Sequence, residues 1–256
     1  MARSDETEPH DGGVRSIARA IDVLALFDTT HPTRTLRDLV AATGLPKTTV
    51  VRVCATLEAR GLLLRPSETT YAPGPAFLRW AHLAASLWDV SDHTRAMMRE
   101  LVDQCGETVN VYVRQGTERV SIAQEEGTAT VRSVVPLGVP MPLSRGATAR
   151  VLLTGAPNGL LERLAAAEGL DPEALARTVA STRETGYAFS HGERELGASA
   201  VAAPIVAHDG RVLAALSVSG PTSRFTADRI AAYVNAVVTA AQRISDQGLG
   251  SVEAFL

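Results

Sequence analysis

The chain has 256 residues, of which 45% are hydrophobic and 21% charged, which suits a protein of one or two globular domains. No apolar run reaches membrane-spanning length, two cysteines (Cys54 and Cys105) are too few for a disulfide framework, and the six histidines show no metal-ligand spacing. The net charge of −3 argues against a polyanion partner until it is divided: residues 14–79 carry nine basic against five acidic side chains, while 1–13 carry one against four and 80–256 carry 15 against 19.

Met1 to Gly13 has four acidic residues and no apolar stretch, so it reads as a disordered tail and not as a signal peptide. Ser16 to Phe27 reads as a first helix with Ile17, Ala20, Ile21 and Leu24 inward, broken at His31-Pro32. Thr35 with Asp38 has the pattern of a capping box, Leu36, Leu39 and Val40 form an apolar stripe, and Gly44 suits the left-handed turn after a helix. Pro46 can open a further helix without needing its missing N–H. In that helix Val50, Val53, Cys54 and Leu57 repeat at i, i+3, i+4, i+7 and predict one buried face. Thr48, Thr49, Arg52 and Thr56 lie opposite, offering hydroxyls and one forked cation, as entry into a major groove requires. Lys47, the single lysine among 25 basic residues, stands at the helix start, within reach of a phosphate. Arg60-Gly61 ends the helix, Leu62 to Leu64 begins a strand, Ser67 to Thr70 make a polar tip and Tyr71-Ala72 returns. This is a winged helix-turn-helix over 14–73. Its candidate DNA contacts are Arg34, Thr35, Lys47, Thr48, Thr49, Arg52 and Arg65. For Arg52 the alternative is a surface salt bridge to Glu58 or Asp38.

After Pro73-Gly74-Pro75, Ala76 to Leu87 predicts a connecting helix inside a linker, 74–89, with Phe77, Leu78, Trp80 and Leu83 as core or interface. The pattern then changes. A helix over Arg95 to Cys105 precedes a hairpin, Thr108–Arg114 and Arg119–Gln124, turned by Gln115-Gly116, and a third strand over Thr130–Val135. Helices follow over Gly146–Leu153, Leu160–Ala167 and Pro172–Thr185. A second hairpin pairs Val201–Ala207 with Arg211–Ser219, and an amphipathic helix runs from Phe225 to Asp246. Hairpins mixed with helices imply an α+β domain, 90–248, with an antiparallel sheet, followed by a tail over 249–256.

The separated blocks R-S-I-A-R-A-I-D-V-L, T-G-L-P-K-T-T-V-V-R-V-C, C-G-E-T-V-N-V, P-L-S-R-G-A-T-A-R-V-L-L, V-A-A-P-I and A-A-L-S-V-S-G-P resemble, in order, the IclR family of bacterial transcriptional regulators from Val14 to Gln247. The resemblance implies an N-terminal winged helix, a connecting helix and a C-terminal effector-binding domain with a GAF- or profilin-like sheet. It implies dimers or tetramers on a palindromic operator and a small, usually anionic effector. Carried over position by position, the effector site would use backbone N–H groups at Ala147 and Thr148, hydroxyls of Ser217 and Ser219, and an apolar wall at Met141. Two positions depart from the family pattern: Ser190-His191 where many relatives have an acidic residue, and Ala200 where many have Cys. Arg145 precedes the pocket helix and reads as a solvated loop arginine, with pairing to a ligand carboxylate as the alternative.

The function these residues imply is a cytoplasmic transcription factor, read as a repressor, controlled by a small organic acid, with double-stranded DNA as partner and no enzymatic activity, cofactor, metal or membrane association. Two other readings stand beside it: an enzyme using the C-terminal pocket, which lacks a recognisable nucleophile-base pairing, and a protein-interaction module without a ligand.

Overall fold

The computed structural model describes residues 14–157 and 159–256, so the tail expected over 1–13 lies outside the described residues. The chain divides into two compact units, Met1–Ser86 and Leu87–Leu256.

In the first unit, α1 (Arg15–Leu24) leads to β1 (Arg34–Thr35), α2 (Leu36–Thr43), α3 (Lys47–Ala59), β2 (Leu63–Leu64), β3 (Thr70–Pro73) and α4 (Ala76–Leu87). The start of α2 is fixed by a reciprocal cap: Asp38 N donates to Thr35 Oγ1 at 3.2 Å, and Thr35 N donates to Asp38 Oδ2 at 2.9 Å. Gly44 ends α2 with φ 64°, a left-handed conformation that costs a glycine little. Val23, Leu39, Val50, Cys54, Leu57, Leu63 and Tyr71 form the core, and burial pushes the Cys54 thiol above its ordinary pKa.

Two expectations change in this unit. Ile17 and Ile21 are 58% and 59% exposed, because α1 turns its Ala20, Val23 and Leu24 face inward. The short strand β1 was not visible in the sequence pattern. It pairs with β3 (Arg34 opposite Tyr71, Thr35 opposite Thr70), so the wing is a three-stranded sheet in the order β1-β3-β2. Helix α4 buries no residue, and Leu78 is 74% exposed.

The second unit contains α5 (Asp92–Cys105), β4 (Thr108–Gln115), β5 (Glu118–Glu125), β6 (Pro140–Pro142), α6 (Ala147–Leu153), α7 (Leu160–Glu168), α8 (Pro172–Thr185), β7 (Ala188–His191), β8 (Ala198–Val206), β9 (Val212–Pro221) and α9 (Ala227–Gln247). Its six strands form one antiparallel sheet in the order β6-β5-β4-β9-β8-β7. Side chains alternate along each strand, so each residue parity serves one face. Val109, Val111, Val201, Ile205, Leu216 and Val218 pack under α5 and α9. Tyr112, Ala202 and Ala215 face α6, α7 and α8. The fold is α+β, as the hairpin pattern implied.

Several features of this unit differ from expectation, among them β6, which the sequence pattern does not show. Helix α5 begins earlier than Arg95 because Ser91 caps it, accepting from Thr94 N at 3.1 Å. No strand forms over Thr130–Val135: Val131 and Val134 are 68% and 50% exposed, and Val135 N donates to the Gln124 side chain at 2.9 Å instead of to a ladder partner. The edge strand β7 escaped the sequence reading because four residues are too few to show an alternation. Residues 249–256 are no tail. Leu249 and Val252 are fully buried in the α5/α9 core, and Ser91 N donates to Leu249 O at 2.7 Å.

Candidate functional site

On α3, Val50, Cys54 and Leu57 are buried and Val53 partly so, which turns Lys47, Thr48, Arg52 and Thr56 to solvent, with Thr49 at the margin. The two carboxylates named as alternative partners of Arg52 are engaged elsewhere: Asp38 caps α2, and Glu58 Oε1 lies 3.6 Å from Arg65 Nε. Among the described residues Arg52 has no ion-pair partner. Two other cations proposed for DNA, Arg34 and Arg65, are less free. Arg34 Nε donates to Leu26 O at 3.1 Å. Arg65 lies over the Tyr71 ring at 4.8 Å and donates to its hydroxyl at 2.6 Å, which braces the wing. Thr35 spends its hydroxyl on Asp38 Oδ2 at 2.8 Å.

The second site is built by sheet register. Ser190, Ala200, Ser219 and Thr108 stand in one row across β7, β8, β9 and β4. The next row runs Ala188, Ala202, Ser217, Asn110 and Gln124. Above these rows the start of α6 closes a cavity of about 40 Å³ lined by Tyr112, Arg119, Ser133, Gly146, Ala147, Thr148, Ser190, Arg194, Ala198, Ser199, Ala200, Ser217 and Ser219. Six of the seven residues named from the sequence therefore meet: Ala147, Thr148, Ser190, Ala200, Ser217 and Ser219. Met141 does not line the cavity. It stands one layer back, beside Arg119 in register, with Sδ 3.7 Å from Arg194 Nη1.

The residue the sequence reading missed is Arg119. It is 2% exposed, on the second strand of a hairpin, where an isolated arginine gives no sign of which face it joins. Its Nη1 donates to Pro142 O and, at 3.0 Å, to Arg145 O. Its Nε is buried without a partner, as is Ser219 Oγ. Burial pushes the guanidinium down to about 10, which still leaves it charged at neutral pH. Arg145 itself is exposed and contributes its carbonyl, not its charge. The two neighbouring cations are matched: Arg150 pairs with Glu193 at 2.9 Å and Arg194 with Glu195 at 3.3 Å. Glu193 also accepts from Gly146 N at 3.1 Å and so fastens the loop after β7 to the start of α6.

A larger groove of about 420 Å³ opens on the other side of the unit between α5 and α9, lined by Met97, Leu101, Tyr233 and Ala236 among others. Among the described residues none of its lining polar side-chain atoms is buried without a partner: Arg243 pairs with Glu100 at 3.0 Å and Tyr233 donates to Cys105 O at 3.2 Å. Polar groups converging without partners, rather than volume, mark a ligand site, and they occur in the smaller cavity. Among the described residues no three His, Cys, Asp or Glu side chains are placed to hold a metal, and no helix is long and apolar enough to cross a membrane.

A winged helix with an open recognition face, joined in one chain to a sheet domain with a polar cavity, defines a DNA-binding regulator with a sensor domain. The chain belongs to the IclR family of bacterial transcriptional regulators: residues 16–66 match the IclR helix-turn-helix domain and residues 82–246 the bacterial transcriptional regulator IclR C-terminal domain. It is 33% identical over 240 residues to the HTH-type transcriptional regulator KipR of Bacillus subtilis, covering 90% of this chain and 96% of that one. Among solved structures, an IclR-family regulator from Rhodococcus sp. is 47% identical, with coverage of 98% and 100% and a TM-score of 0.63. An IclR homologue from Microbacterium hydrocarbonoxydans, solved with 4-hydroxybenzoate, shares the fold at 22% identity, with coverage of 93% and 99% and a TM-score of 0.73.

Proposed function

We propose that this regulator is a cytoplasmic repressor that binds a palindromic operator as a dimer or a pair of dimers and changes its operator affinity when a small organic acid enters the cavity above β8 and β9. The observation that carries the reading is convergence: hydroxyls of Ser190, Ser217 and Ser219 meet the amides opening α6 in one cavity, and Ser219 Oγ is buried there without a partner. A buried donor left unsatisfied costs about 1–3 kcal/mol, which a ligand acceptor recovers. The Microbacterium homologue was solved with 4-hydroxybenzoate, which supports trying acids first here. On the DNA side, Arg52, Thr48 and Thr49 read base edges from α3 while Lys47 meets a phosphate, and Arg34, Thr35 and Arg65 act at the margin of the contact. One winged helix covers one half-site, so a two-fold dimer matches a palindrome. The exposed Leu78, Trp80 and Leu83 of α4 supply apolar surface for pairing.

The test is calorimetry with a panel of organic acids on the wild type and on Ser217→Ala/Ser219→Ala, with operator binding followed by fluorescence anisotropy. Tight binding of an acid by the wild type, lost in the double variant and accompanied by a change in operator affinity, is the expected result. An acid bound equally well by both proteins would place the site elsewhere, and light scattering that shows a monomer with and without operator would remove the dimer.

A further inference from the structure

Three features of the cavity point the same way. The Arg119 fork has three nitrogens. Nη1 is committed to the carbonyls of Pro142 and Arg145, which fixes the plane of the group. Among the described residues Nε and Nη2 have no acceptor, and Nε is fully buried. These two nitrogens form one edge of the guanidinium, and an unmatched edge of a buried cation is costly to leave so. Space is kept in front of it. Gly146 has φ 92°, and a Cβ built there would lie 3.7 Å from Arg119 Nη2 and 4.0 Å from Ser190 Oγ. A side chain at 146 would therefore fill the gap between those two groups. Charge completes the pattern: with Arg150 on Glu193 and Arg194 on Glu195, Arg119 is the one lining cation without a carboxylate among the described residues.

We infer that Arg119 is the specificity-determining anchor of this cavity, binding one ligand carboxylate side-on through Nε and Nη2, with Ser190 and Ser219 as flanking hydroxyls. The inference rests on the proposed small-acid site and adds its ligand class: an acid that enters carboxylate first and presents one negative charge at the buried end. The two coplanar oxygens of a carboxylate match the two parallel N–H bonds of the fork, which an ammonium cannot reproduce. Beyond the carboxylate the ligand meets Tyr112, Ala147 and Ala200, so the rest of it is small or flat and apolar.

The experiment uses the full-length protein and acetate, succinate, benzoate and 4-hydroxybenzoate, each beside its neutral amide, by calorimetry. The wild type should bind at least one acid at least tenfold more tightly than its amide. Arg119→Lys keeps a positive charge but loses the fork, and should cut the affinity for that acid by about tenfold or more, in line with charge-assisted bonding. Arg119→Met should remove the acid-over-amide preference. Because Nη1 also braces two carbonyls, Arg119→Met can lose its fold. Arg119→Lys, checked by its melting curve, then decides the matter. A folded Arg119→Lys protein that keeps the wild-type preference within twofold overturns the anchor, and so does a wild type that binds acids no better than amides. The Ser217→Ala/Ser219→Ala variant separates the two ideas. If it loses binding while Arg119→Lys does not, the cavity stands and the anchor falls. If neither substitution affects binding, or if no acid of the panel binds the wild type at millimolar concentration, both fall.

Discussion

Replacing Arg52 by alanine should leave folding intact and damage operator binding, and the structure sets both magnitudes. Arg52 is exposed on α3 and has no ion-pair partner among the described residues, so its loss should change stability by no more than about 0.5 kcal/mol. A base contact of the kind its position allows contributes about 1–3 kcal/mol. Two half-sites double that, which at about 1.4 kcal/mol per tenfold corresponds to roughly 30-fold to 10⁴-fold in operator affinity. Thr49 offers one neutral hydroxyl, so Thr49→Ala should cost about 0.5–1.5 kcal/mol per half-site. Thr35→Ala is the contrasting variant. Its hydroxyl caps α2, so it should lower stability by about 1 kcal/mol and, from the margin of the contact, weaken operator binding less than Arg52→Ala does. Fluorescence anisotropy with operator at matched salt, beside thermal melts, reads both quantities. If Arg52→Ala binds operator as tightly as the wild type, α3 does not present this face to DNA.

Removing residues 249–256 should destabilise the protein by about 3–6 kcal/mol, since the fully buried Leu249 and Val252 each contribute about 1.5–3 kcal/mol; an unchanged melting temperature would show that their burial is immaterial. Gly220→Ala places a Cβ 2.1 Å from Oε2 of the buried Glu107, to which the partly exposed Arg224 Nε donates at 2.5 Å, and should lower stability by about 1–3 kcal/mol or more, read by denaturant titration. Carboxylate affinity should be flat through neutral pH and fall as pH rises past about 10, where Arg119 deprotonates, by about tenfold per pH unit. A fall that instead begins near neutral pH would point to a different cation.

What could be read from the sequence was what short-range rules determine. The cap at Thr35, the end at Gly44 and the buried stripe Val50-Cys54-Leu57 each depend on residues a turn or two apart, and each is present. The two sheet serines were legible for the same reason, because alternate residues of one strand share a face. The misses depend on tertiary partners. Arg34 and Thr35 become a strand because Tyr71 and Thr70 lie opposite, and Leu249 and Val252 are buried because α5 and α9 leave room for them. Thr130–Val135 has the composition of a strand, but β6 takes the edge of β5 instead, pairing Met141 with Arg119. Arg119 needed all of these at once: a register, a face, and a census of which carboxylates its neighbours consume.

An effector can shift operator affinity only through a difference in its own affinity for the free and the operator-bound protein. If an acid in the cavity weakens operator binding by some factor, operator must weaken acid binding by the same factor, within about 5–150-fold for ordinary allosteric coupling. Both legs are measurable: operator titrations with and without saturating acid, and acid titrations of free protein and of the preformed complex. Arg119 adds a sharper condition. Its plane is fixed by Pro142 and Arg145 within its own unit, so its grip on a carboxylate should be the same whether or not DNA is bound. Arg119→Lys should then weaken acid binding equally in both states and leave the coupling factor unchanged once acid is saturating. Unequal legs in the wild type would break the two-site description. A coupling factor that collapses in Arg119→Lys would show instead that this contact is itself what differs between the two states.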